Sequence, residues 1–235
     1  MKYMGSKNRL AKQLLPILLK DRYKGQYYVE PFVGGCNLID KVDGNRIGSD
    51  KNELLIEMWK GLQQGKERPL IISKQLYDKA REFFNKNDYS EMDKFTVGWI
   101  GFAASFNGRF FDGGYSGEYK GRDYIKEQIN NIEKQINYIK DVNFLVGSYD
   151  EIIIPDKSII YCDIPYKNTK QYLISKNFDY DKFWDWCRQI KKIGHKIYVS
   201  EYEAPSDFTC IWEKEVTNSM NTKNTYKAIE KLFTI

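Results

Sequence analysis

The chain has 235 residues, 42% of them hydrophobic and 29% charged, with a net charge of +5. That length supports one sizeable core, or one core carrying an inserted lobe. No run of about 18 apolar residues occurs, which argues against a membrane-spanning helix, and with His195 as the only histidine and no CxxC there is no zinc signature.

Residues 7–20 place Leu10, Leu14, Leu15 and Leu18 at helical spacing behind Ser6 as N-cap, with Pro16 expected to kink or shorten the helix. The segment 26–32 (QYYVEPF) reads as a buried strand stopping at Pro31, and Gly34-Gly35 as a tight turn into a helix. Residues 45–50 (NRIGSD) read as a second strand ending in an acid, followed by the helix NELLIEMWKGLQ. This β-turn-α-β unit opens a doubly wound sheet. From about 61 to 141 the pattern is mainly helical. One helix lies around 91–106, and Ile125, Ile129, Ile132, Ile136 and Ile139 mark another by their alternating four- and three-residue spacing. That stripe fits packing on the core, and also a coiled-coil partner if more heptads existed. Between these helices, 105–123 (SFNGRFFDGGYSGEYKGRD) reads as a loop or hairpin. Strands resume at 142–147 (VNFLVG), 158–166 (SIIYCDIPY) and 196–202 (KIYVSEY), with a helix over 181–194. TCIWEKEV and AIEKLFTI suggest closing antiparallel strands. The expected fold is α/β, a sheet interrupted by a mostly helical insertion.

Asp163-Ile164-Pro165-Tyr166 follows an apolar strand, so it falls at the strand's carboxyl end, where open α/β sheets place chemistry. An acid, a rigid turn and an aromatic suit the holding of an exocyclic amine. A carboxylate and a backbone carbonyl accept its two N–H groups and expose the nitrogen lone pair, while Tyr166 offers a face for the base, a contact worth about 1–3 kcal/mol. Alone the tetrapeptide is also an ordinary turn. VEPFVGG (29–35) followed by Asp50 supplies the context. Glycines let a cofactor approach the backbone, and an acid about 20 residues on takes ribose hydroxyls. GxGxxG is absent, which counts against a dinucleotide, and the glycines alone read equally as a tight turn. Positive charge is clustered. Residues 1–24 hold seven lysines and arginines against Asp21, and 167–196 hold eight against three aspartates. Such clusters suit a phosphate backbone, or simply form a solvated lysine-rich face.

Taken in order, KYMGSK (2–7), VEPFVGG, Asp50, SFNGRFFDGGYSG (105–117) and DIPY resemble the Dam-like DNA adenine N6-methyltransferases (D12 class, alpha type). The resemblance is loose along nearly the whole chain, and specific in its combination of motifs. It implies a Rossmann-like, S-adenosylmethionine-dependent methyltransferase fold, with a catalytic domain over 1–60 and 142–235 and a helical target-recognition domain inserted at 61–141. Carried over by residue, Tyr3, Gly5 and Lys7 match cofactor-contacting positions, Lys7 near the methionine carboxylate, although it also reads as an ordinary helix-start lysine. Phe32, Gly34 and Gly35 match the cofactor loop and Asp50 the ribose acid. Asp163 matches the catalytic acid beside both donor and amine, Ile164 the second acceptor through its carbonyl, and Pro165 and Tyr166 the turn and the stacking aromatic. Three positions depart from the pattern. Ile164 stands where Pro is commoner, Cys36-Asn37 where small residues are usual, and Ser148-Tyr149 where an acid and an aromatic usually mark the adenine end of the cofactor site.

The implied reaction is direct methyl transfer from S-adenosylmethionine, leaving S-adenosylhomocysteine, to an adenine flipped from double-stranded DNA, with no metal. Phe106, Asn107, Arg109, Tyr115, Lys120 and Arg122 are the expected DNA contacts. A surface hairpin without a role is the plainer reading of that loop. Alternatives are methylation of cytosine N4 or RNA adenine, or a DNA-binding regulator on the same fold. Asp163 rather than Ser favours adenine by resemblance, and the regulator would be marked by loss of Asp163 or of the glycine turn. The remaining expectations are free thiols at Cys36, Cys162, Cys187 and Cys210, a monomer in a bacterial cytoplasm at the nucleoid, and a phage or restriction-modification setting.

Overall fold

The computed structural model describes residues 1–167, 177–217 and 227–235. Part of the second basic stretch, 168–176, therefore lies outside the described residues. Strands β1 (Tyr28–Glu30), β2 (Arg46–Asp50), β5 (Val142–Val146), β6 (Ile159–Asp163), β7 (Lys196–Glu201), β8 (Thr209–Thr217) and β9 (Lys227–Thr234) form one sheet in the order β5-β2-β1-β6-β7-β9-β8. The five strands from β5 to β7 run parallel, and β9 pairs antiparallel with both β7 and β8. The chain builds outward from β1 to β2 and β5, then returns to the other side of β1 with β6. The order of strands therefore reverses between β1 and β6, which opens a crevice at their carboxyl ends.

Among the described residues six α-helices cover the sheet: α1 (Ala11–Leu18), α2 (Glu53–Gln63), α3 (Lys74–Lys86), α4 (Lys94–Ala104), α5 (Tyr124–Ile139) and α6 (Tyr180–Lys192). Side chains alternate along the strands and divide the core between the two faces. Tyr28, Ile159 and Tyr161 join Leu14, Leu55, Trp59, Trp99 and Ile132 on one side. Val29, Ile160 and Cys162 join Phe183, Cys187 and Ile190 of α6 on the other. Helices α2 to α5 share this first cluster, so the segment 61–141 packs on the same core as the sheet. Helices α2 and α4 approach closely at Gly98 of α4, where a Cβ would lie 2.2 Å from the Leu54 carbonyl oxygen of α2.

The expected elements form with four differences. The helix expected over 7–20 divides into a 3-10 turn, Lys7–Arg9, capped by Ser6, and then α1, with Pro16 inside it. The strand expected over 26–32 narrows to β1, because Pro31 has no N–H for the ladder. The helix expected straight after Gly34-Gly35 does not form. Cys36 takes φ +55°, which a right-handed helix cannot include, and only the 3-10 turn Ile39–Lys41 follows. In the helical region α3 appears as a separate amphipathic helix, capped by Ser73 and ended by Asn87 in the left-handed conformation. The isoleucine stripe resolves in favour of core packing, since Ile125, Ile129, Ile132 and Ile139 are all buried.

Candidate active site

Asp163 ends β6 beside β1, at the reversal in strand order. The 3-10 turn that begins at Lys7 brings its ammonium into the same place. Lys7 Nζ donates to Asp163 Oδ1 at 2.7 Å and to the Gly5 carbonyl at 3.2 Å, and lies 3.8 Å from Glu230 Oε2. It also stands over the Tyr166 ring, 4.6 Å from the centroid. The Lys7 side chain is only 6% exposed. Burial by itself would lower its pKa, but the Asp163 and Glu230 carboxylates outweigh that and hold it above the usual lysine range. Burial raises the Asp163 carboxyl, and Lys7 opposes the rise. Lys7 occupies one carboxylate oxygen of Asp163 and leaves acceptor capacity on the other.

The turn after Asp163 is braced from several elements. Ile164 packs its side chain into the core beside Val29 and Phe183, a use for the residue that replaces the commoner Pro. The Pro165 carbonyl accepts from Tyr180 Oη at 2.9 Å. Tyr166 is buried, its hydroxyl donates to Glu230 Oε2 at 2.6 Å, and its ring meets Tyr202 edge-on at 4.7 Å. Burial and the neighbouring carboxylates push the Tyr166 pKa well up. Glu201, at the end of β7, accepts from Lys167 N–H at 3.0 Å. Burial lifts its carboxyl to about 7.

On the β1 side, Asp50 ends β2 and its two oxygens accept from Gly34 N–H at 3.1 Å and Asn52 N–H at 2.9 Å. Burial raises its pKa to about 6, against those two donors. Gly34 has φ +45°, and the Tyr3 ring presses on the turn. A Cβ on Gly34 would lie 2.8 Å from the ring and one on Gly35 2.7 Å from Tyr3 Cβ. The glycines thus admit Tyr3, which seats the N-terminal segment carrying Lys7. Gly5 has φ +79° and open space at its Cβ. Phe32 stacks on Tyr149 at 5.7 Å and meets Phe178 and Phe183 edge-on. Tyr149 is buried in this aromatic cluster, whereas Ser148 lies outside it, its N–H donating to Glu151 Oε2 at 2.8 Å.

The loop 105–123 is anchored by Phe110 and Phe111, both buried in the larger core cluster, with Phe110 4.5 Å from Phe102. Its Gly108 touches the N-terminal segment, since a Cβ there would lie 2.2 Å from the Lys2 carbonyl oxygen. Of the expected DNA contacts, Phe106 (45% exposed) and Asn107 are exposed and Arg109 is half-buried. Tyr115 turns inward instead, half-buried against Tyr77, its hydroxyl donating to the Ile72 carbonyl at 2.7 Å. Lys120 and Gly121, both with positive φ, make the two-residue turn of a hairpin between β3 (Glu118–Tyr119) and β4 (Arg122–Asp123). Arg122 is exposed and meets Glu127 Oε2 through two nitrogens at 2.6 and 2.8 Å.

Sequence reasoning assigned no role to Glu230, Glu201, Tyr180, Tyr202 or Phe178. A signal existed for Glu230. It sits two residues before Leu232 in β9, on the same strand face, and Leu232 is fully buried, so an acid there needs a partner. Among the described residues no three His, Cys, Asp or Glu side chains are grouped to hold a metal ion, and no helix is long and apolar enough to cross a membrane. All four cysteines are free thiols.

No curated protein matches the chain. The sequence pattern of the D12 class N6 adenine-specific DNA methyltransferases matches residues 3–232, a span that includes the Lys7 turn, the glycine turn, Asp50, the 105–123 loop, the Asp163 turn and Glu230. The chain therefore belongs to the D12 class N6 adenine-specific DNA methyltransferase family and is an adenine-specific DNA methyltransferase.

Proposed function

We propose that the site joins S-adenosylmethionine to an adenine flipped out of duplex DNA, with Asp163 and Tyr166 on the base and Asp50 on the donor. The observation that carries this reading is the Asp163–Lys7–Tyr166 group at the reversal in strand order. S-adenosylmethionine, when bound, supplies a methyl group already activated by a sulfonium.

The residues fit that donor. Asp50 accepts one backbone N–H on each oxygen, and so retains lone pairs for ribose hydroxyls. Phe32 presents a half-buried ring just before the Gly34-Gly35 turn, and Gly5 leaves room beside Lys7. On the base side the free oxygen of Asp163 accepts one N–H of the adenine amine and the Ile164 carbonyl the other, leaving the nitrogen lone pair exposed. Lys7 favours the ionised form of Asp163 against the effect of burial. Tyr166 supplies the stacking face, which binding has to uncover further, because the ring is 9% exposed. Flipping costs a few kcal/mol and these contacts offset it. Holding amine and methyl in line supplies much of the rate. The segment 61–141 reads the DNA sequence in this account, through the exposed part of the loop 105–123, and the protein acts as a monomer in the cytoplasm.

The experiment is transfer of labelled methyl from S-adenosylmethionine to unmethylated plasmid DNA, single strands and RNA, with nucleoside analysis of the product. N6-methyladenine in the duplex is expected. N4-methylcytosine, or label confined to RNA, overturns the reading.

A further inference from the structure

Glu230 lies 64 residues from Tyr166 in the chain and 67 from Asp163, yet its carboxylate joins both to one network. Oε2 accepts the Tyr166 hydroxyl at 2.6 Å and stands 3.8 Å from the Lys7 ammonium. The Lys7 ammonium in turn holds Asp163 and covers the Tyr166 ring. Glu230 projects from β9, where it pairs with Lys214 of β8, one residue before Lys231 pairs with Glu201 of β7. A hydroxyl-to-carboxylate bond of this length is charge-assisted, and stronger and more directional than a neutral one. It acts at the far end of the tyrosine, where it sets the rotation and tilt of the ring without touching a base stacked on its face.

We infer that Glu230 is a positioning residue for methyl transfer, locking the Tyr166 ring through its hydroxyl so that a stacked adenine presents its amine beside Asp163. The inference rests on the reading of Asp163 and Tyr166 as the base-holding pair. A latch that keeps the base out would move turnover the opposite way, so the direction of the effect separates the two roles.

The test uses the full chain, labelled S-adenosylmethionine and a duplex whose methylated site has been mapped with the wild-type protein. Glu230→Ala is expected to lower kcat about tenfold, the scale of a small misplacement at a reacting centre, with KM for DNA much less changed. Glu230→Gln, whose amide oxygen still accepts from the hydroxyl, should recover most of that loss. Tyr166→Phe should reproduce the Glu230→Ala loss, and Glu230→Ala should add no more than about twofold in the Tyr166→Phe background, since residues acting as one unit are not additive. Tyr166→Phe reaches the same bond from the other side if Glu230→Ala fails to fold. An active wild-type protein with Glu230→Ala and Tyr166→Phe within twofold of it, faster turnover in either variant, fully additive losses, or no recovery in Glu230→Gln each overturn the role of Glu230 and leave the reading of the site standing. A wild-type protein that methylates no adenine overturns both.

Discussion

Lys7 and Arg122 each meet a carboxylate, and the two pairs are built in opposite ways. Lys7 is 6% exposed and reaches Asp163, 156 residues away in the chain. The Arg122 side chain is 57% exposed and meets Glu127, five residues on. The same division runs through their surroundings. Around Asp163 the side chains come from the N-terminal turn, β6, β7 and β9, and each is held by a partner distant in sequence. In the 105–123 loop the buried Phe110 and Phe111 fix the base, while Lys120 and Arg122 have local partners, Tyr119 for one and Glu127 and Tyr124 for the other. A pair withdrawn from water acts in a low dielectric and is costly to break, whereas an exposed pair exchanges readily with solvent or with a phosphate. Under the proposed function the first region serves the chemistry and the second serves contact that can be remade on binding.

That contrast is sharpest at Asp163. Asp163→Ala is expected to abolish methyl transfer. It should also lower stability by about 3 kcal/mol, because the Lys7 ammonium loses its closest counter-charge and keeps Glu230, the Gly5 carbonyl and the Tyr166 ring. Turnover assays and chemical denaturation check both parts. Near-normal turnover would show that the buried pair is structural only.

Asp50 lies between the two extremes. Asp50→Ala should weaken S-adenosylmethionine or S-adenosylhomocysteine by about 1.5–3 kcal/mol in calorimetric titration without DNA, the scale of a hydrogen bond to a charged acceptor. The pH dependence has a definite sign. With its pKa raised to about 6, Asp50 takes up a proton as the pH falls through that value and loses acceptor capacity. Affinity should therefore rise with pH through about 6, and Asp50→Asn should flatten the profile. A flat wild-type profile and an Asp50→Ala variant of unchanged affinity would place the donor elsewhere.

The smallest effects belong to the loop. If Arg109 reads a guanine, Arg109→Ala should cost about 1–3 kcal/mol at one base position and relax specificity there. If it meets phosphate, binding should weaken evenly across sequences, with a shallower salt dependence. Arg109→Ala combined with Lys120→Ala that changes neither affinity nor specificity would move sequence reading out of this loop and remove its contrast with the Asp163 site.

Much of the architecture is legible in the chain itself, because it rests on local order. The alternating run at 142–146, the continuous apolar run at 159–163, the isoleucine stripe of α5 and the cap Ser6 report structure formed by neighbours in sequence. The carboxyl-end positions of Asp50 and Asp163 follow from the same local patterns. The contacts among sites did not. That Tyr3 fills the space left by Gly34 and Gly35, that Tyr115 faces inward, and that Glu230 closes the network on Tyr166 are decided by how distant segments pack together. Periodicity tells a residue's face and not its partner, since the partner is chosen only when the sheet order brings β9 beside β7 and β6 beside β1.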